Sequence, residues 1–143
     1  MTDIKDKMSY ELYLASPDFE LLYNGFKTLE CQLITDSWEK IKLGDTIMIK
    51  NNLLAFKVAV AAVNYYFPSR IGGYSDPLAA MLSRVDNKKL TAGLRATNEI
   101  TQHYQKLLGN EQIMEHGLIV LELRVAAKHM ISLTAELTQN CNR

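Results

Sequence analysis

Apolar and polar residues alternate from Tyr10 to Leu14, with Tyr10, Leu12 and Leu14 on one side and Glu11 and Tyr13 on the other. That period of two predicts a first, half-buried strand. A short helix is expected next: Ser16 suits an N-cap, Pro17 suits the first turn, and Asp18 and Glu20 favour the positive end of the helix dipole. Phe19, Leu22 and Phe26 are its expected buried contacts, and Gly25 its stop. Lys27 to Leu33 then reads as a strand, with Leu29, Cys31 and Leu33 on one face and Thr28, Glu30 and Gln32 on the other. In a regular strand Lys27 and Glu30 point to opposite faces. They converge only if Lys27 belongs to the preceding turn or a bulge intervenes.

Thr35 to Lys42 is expected to form a connector carrying Trp38, and Leu43-Gly44-Asp45 a turn that launches a strand over Thr46 to Lys50. Asn51-Asn52 then predicts a hairpin, since asparagine tolerates left-handed backbone. The returning segment, Leu53 to Tyr66, contains enough alanine to be helical. Its β-branched and aromatic residues (Phe56, Val58, Val60, Val63, Tyr65, Tyr66, Phe67) and its place in a hairpin instead predict a long strand. Pro68 to Asp76 is expected to be a loop, and Pro77 to open a helix with Leu78, Met81, Leu82 and Val85 at helical spacing. A further helix starts near Thr97 or Asn98, buries Ile100, Tyr104, Leu107 and Leu108, and stops at Gly109. After a polar loop, Gly117 introduces a strand over Leu118 to Val125, in which Glu122 and Arg124 share a face. Ala126 to Gln139 reads as a last amphipathic helix with Met130, Leu133 and Leu137 inward.

Composition narrows the function classes. The 143 residues, 48% hydrophobic and 22% charged, suffice for one domain with a sizeable core. Lys+Arg and Asp+Glu are equal at 16 each, so a polyanion must use a local patch. Residues 84 to 106 hold five basic side chains (Arg84, Lys88, Lys89, Arg95, Lys106) against two acidic ones (Asp86, Glu99). Cys31 and Cys141 have no metal-type spacing, and His103, His116 and His129 form no ligand motif, so neither a metal nor another cofactor is expected. The polar N-terminus lacks the apolar core of a signal peptide and no apolar run reaches spanning length; a soluble, intracellular protein, cytoplasmic or nuclear, is expected. There is no P-loop, dinucleotide fingerprint or zinc-deaminase motif.

Two segments together carry a family likeness. Gly25-Phe-Lys27-Thr28-Leu-Glu30 followed by Trp38-Glu-Lys-Ile-Lys-Leu-Gly44-Asp45 resembles the opening of an ASCH (activating signal cointegrator homology) domain of the PUA-like superfamily. The order of elements over residues 10 to 125 is similar too, including a helix with a tyrosine like Tyr104, and residues 126 to 143 are an extension expected to pack as a helix on the same domain. The resemblance implies an α+β fold, a small mixed PUA-like β-barrel with surrounding helices, and a cleft for RNA or a nucleobase. Some relatives bind RNA or cleave it, and short bacterial ones hydrolyse the acyl amide of 4-acetylcytidine with a lysine, a threonine three positions on and a later glutamate. Here Lys27 matches the lysine, Glu30 stands in the threonine's place, and Gln32 replaces an arginine common in the family.

Each reading needs particular groups. An RNA or nucleotide site needs cations for phosphate, for which Lys27, Lys57 and Arg70 are candidates, and flat rings for bases, for which Tyr65, Tyr66 and Tyr74 are candidates beside Tyr104. Tyr65 and Tyr66 equally suit packing at a strand end, and Glu30 equally suits a brace that holds Lys27 ready. A hydrolase, whether ribonuclease or amidohydrolase, would use Lys27, Thr28 and Glu30 as catalytic groups. A third reading is a protein-interaction or homo-oligomeric module docking through the C-terminal helix. Composition does not set the oligomeric state.

Overall fold

The computed structural model describes residues 9–67, 85–93, 97–126 and 128–133. In chain order these form β1 (Ser9–Tyr13), α1 (Asp18–Tyr23), β2 (Leu29–Leu33), β3 (Thr46–Lys50), β4 (Leu54–Tyr66), α2 (Asn87–Thr91), α3 (Thr97–Leu108), α4 (Asn110–His116), β5 (Leu118–Val125) and β6 (Ile131–Ser132). The strands make one sheet in the order β1-β3-β4-β5-β2, with β6 pairing to β4. β1 runs parallel to β3 and every other pairing is antiparallel. The sheet curls into a half-barrel with helices around it, a mixed α+β fold as the sequence predicts.

The curl follows from how the apolar residues are divided. β5 is apolar at nearly every position and is buried on both faces, as a central strand covered on two sides must be. Its Ile119, Leu121 and Leu123 join Phe19 and Leu22 of α1, Ile47 and Ile49 of β3 and Phe56, Val58 and Val60 of β4 in one core. Its Leu118 and Val120 join Leu29 and Cys31 of β2 in a second core, roofed by Leu90, Ile100, Tyr104 and Ile113. β4 is the long strand expected, and its register with β5 shifts between Val60 and Ala62. Such a bulge bends a strand and deepens its twist.

Several local expectations are corrected. Phe26 is 68% exposed, not buried. Gly25 takes φ +80°, and the backbone N–H groups of Phe26 and Lys27 both bond to Leu21 O. In this tight turn Phe26 stands in solvent and Lys27 is buried. Ser16 does not cap α1; its hydroxyl donates to the Glu20 carboxylate at 2.7 Å. The polar stretch before Gly117 is a helix, α4, anchored by Ile113 alone. Leu107 faces solvent while Leu108 packs inward. The helix expected from Ala126 is absent over its first part, because Ile131 and Ser132 pair with Ala55 and Leu54 and Leu133 N–H bonds to Leu53 O. Met130 does pack on the core. The Pro68 to Asp76 loop, nearly all of the helix opened by Pro77, and Leu137 lie outside the described residues.

Candidate functional site

Lys27 closes the α1–β2 turn and Glu30 is the second residue of β2, so the two side chains need not obey strand alternation. Lys27 Nζ lies 3.2 Å from Glu30 Oε2, with the two side chains only 1% and 3% exposed. The lysine's hydrogen bond goes to the carbonyl of Leu90 in α2. Tyr104 of α3 donates its hydroxyl to Glu30 Oε1 at 2.7 Å, and the backbone N–H of Cys31 reaches the same oxygen at 3.2 Å. Glu30 Oε2 is buried, and among the described residues no hydrogen-bond donor is aligned on it. Charge alone holds it to Lys27.

Three elements converge here for local reasons. β2 is the last strand in the sheet order, so one of its edges faces away from β5. α2 lies along it, fixed by Asp86, whose carboxylate accepts from Lys88 N–H at 2.9 Å, and by the bond from Thr28 N–H to Lys89 O. Tyr104 enters from α3, whose neighbouring His103 places Nε2 3.8 Å from Asp18 Oδ2 of α1.

Burial reshapes the proton chemistry around Glu30. The Cys31 thiol is pushed up from 9.0 to about 12, first by burial and then by the Glu30 charge. Burial and then Glu30 also hold the Tyr104 hydroxyl well above its ordinary 10.0. Both groups are therefore held neutral in the fold and lose their protons more readily in the unfolded chain. Their contribution is complete below the unfolded values and declines as pH rises towards the folded ones. Stability should thus fall from pH 9.0 upward through Cys31, with Tyr104 adding above 10.0. The slope is about 1.4 kcal/mol per pH unit for each group. Urea titrations at alkaline pH check this, and Cys31→Ala should flatten the first part of the decline.

The structure brings together some of the predicted site residues and separates others. Lys27, Glu30 and Tyr104 form one network, but Tyr104 is buried and serves Glu30, presenting no free ring to a base. Thr28 lines a separate cavity of about 250 Å³ with Asn24, Gly25, Arg124 and Lys128. Tyr65 aligns with Ile119 of the first core and Tyr66 with Leu118 of the second, so the two rings stand on opposite faces of β4 and make no shared platform. Tyr66 packs on the second core, whereas Tyr65 is exposed and its hydroxyl reaches Glu39 O at 3.4 Å. Lys57 is exposed on β4 opposite Met48. Arg70 and Tyr74 lie outside the described residues. Leu90 O, the lysine's acceptor, was not foreseen; the Asp86 cap ahead of Asn87 to Thr91 is the one local signal for the helix that carries it.

Among the described residues, no three His, Cys, Asp or Glu side chains gather as a metal site, and no helix is long and apolar enough to cross a membrane. No family model and no curated protein matches the chain. Two solved archaeal structures are similar to it. The hypothetical protein PH0355 superposes with a TM-score of 0.65 at 23% identity, covering 82% of this chain and 98% of its own. Protein PF0455 from Pyrococcus furiosus gives 0.61 at 23% identity, covering 83% and 98%. These likenesses establish the fold.

Proposed function

We propose that the protein is an ASCH-like domain that binds RNA or a nucleotide at the Lys27–Glu30 pair. The observation that carries this reading is the pair itself, two opposite charges in the interior with one carboxylate oxygen lacking an aligned donor. Packing alone does not call for such a pair, because apolar residues of similar volume are often as stable or more so. A buried polar atom left without an aligned donor is rare in native folds, and a catalytic or ligand-binding role is one account of it. The half-barrel with its surrounding helices is the architecture the family resemblance implies, and the GlyPheLys turn is what aims Lys27 inward.

Lys27 is spent on Leu90 O and Glu30, so ligand binding exchanges the Leu90 carbonyl for a ligand oxygen and displaces the five-residue helix α2. Glu30 keeps the ammonium in place during that exchange, and Tyr104 fixes Glu30. The test uses Lys27→Met/Glu30→Gln, which removes both charges and leaves an acceptor for Tyr104. Wild type should bind single-stranded RNA or nucleotide measurably at low salt, and the double variant about tenfold or more weakly while still showing a cooperative thermal transition above the assay temperature. Equal binding by both proteins would refute the reading.

A hydrolase acting on RNA or on an acylated base is the second reading, favoured by Glu30 Oε2 as a proton acceptor beside a lysine. Thr28, in its separate cavity, is not placed as its nucleophile, so Glu30 would activate water. Incubation with 4-acetylcytidine and with labelled RNA, each against Glu30→Gln, decides it: no Glu30-dependent product leaves binding alone. The interaction-module reading took residues 126 to 139 as a free helix; through residue 133 that segment is instead joined to β4.

A further inference from the structure

We infer that the cavity beyond Thr28 is an anion site that takes a phosphate group. It lies where α1 ends and β2 begins, lined by Leu22, Tyr23, Thr28, Leu123, Arg124 and Lys128 among others. At about 250 Å³ it is smaller than the roughly 300–1,000 Å³ that encloses a whole small ligand, so it accommodates a group of a ligand.

Its charge is one-sided. Glu122, two residues before Arg124 on the same face of β5, is engaged by Lys89 at 3.3 Å. Across the sheet Arg124 faces Ala59, which offers no charge. Lys128 is held over the Tyr23 ring at 5.9 Å, a contact that positions a cation without cancelling it. Neither Arg124 nor Lys128 makes an ion pair with the described residues. A guanidinium and an ammonium bordering one cavity that Thr28 also lines suit the tetrahedral oxygens of a phosphate. Gly25 lines the same rim, and its position has open space where a Cβ would stand.

The phosphate comes either from the ligand at Lys27, in which case the inference rests on the function proposed above, or from free phosphate, in which case it does not. Amide spectra of the full chain, titrated with inorganic phosphate against chloride at matched ionic strength, read the site directly. Saturable shifts are expected at Gly25, Thr28 and Arg124. Arg124→Gln/Lys128→Gln should weaken them about tenfold while leaving distant resonances in place. No saturable shift at these amides, or the same affinity in the double variant, overturns the site. A parallel titration with single-stranded RNA separates the sources. RNA that moves the same amides, and loses affinity in Arg124→Gln/Lys128→Gln, identifies a backbone phosphate. RNA that leaves them unmoved while inorganic phosphate shifts them identifies the free ion.

Discussion

Lys27→Met should destabilise the protein by about 3–5 kcal/mol, the cost of stripping one partner from a buried ion pair and leaving the other charge uncompensated. Glu30 would remain inside with only the Tyr104 hydroxyl and the Cys31 N–H to receive its charge. Converting the survivor as well, in Lys27→Met/Glu30→Gln, should restore more than half of the loss, because a neutral amide still accepts from Tyr104 and its burial is far less costly. Urea denaturation of wild type, both single variants and the double variant measures the coupling directly. A single-variant loss below about 1 kcal/mol would mean that the pair behaves as a solvated surface bridge, and the site proposed around it would lose its foundation.

The second large effect is expected at Gly117, which joins α4 to β5. A Cβ built there meets Tyr66 O at 2.6 Å, Ile34 Cδ1 at 3.1 Å and Phe67 Cδ1 at 3.3 Å, and the backbone is at φ +81°. The nearest of these atoms is a backbone oxygen in the β4–β5 ladder and cannot swing aside. Gly117→Ala should therefore cost about 3 kcal/mol or more, combining left-handed strain with overpacking. Gly25→Ala makes the control, since Gly25 has a similar φ of +80° but nothing within 4 Å of the added atom. If the two variants lose equal stability, close packing at Gly117 contributes nothing beyond the backbone angle.

Alternation and turn chemistry made much of this fold legible. The Asn51-Asn52 hairpin, the Gly44-Asp45 turn and the β-branched run in β4 each left a local signature, and all five strands read from the sequence are present. What escaped had no periodic signal. α4 buries one residue, Ile113, so its sequence reads as a polar loop. The tail joins the sheet through main-chain bonds at Ile131 and Ser132, whose cause is the open edge of β4 beyond the end of β5 and not the tail's own pattern. Tertiary context there outweighs the helical spacing of Met130 and Leu133.

The site was legible in its members but not in its depth. Their place at a strand entrance and the family resemblance brought out Lys27 and Glu30, although strand alternation set them on opposite faces, and helical periodicity placed Tyr104 inward. The turn that buries Lys27 depends on two amides sharing Leu21 O, a bond pattern with no side-chain signature. Tyr65 and Tyr66 show the converse: adjacent rings look like a platform in a sequence, and a pleated strand sends them to opposite faces.

The order of strands carries one more consequence, for the time course of folding. β2 is made early, yet it hydrogen-bonds to β5, after all of β3, β4 and the later helices have been synthesised. Until Leu118 to Val125 leave the ribosome, β2 has no ladder to join. Such long loop closures slow folding, and the growing chain must carry an unpaired strand until β5 has emerged.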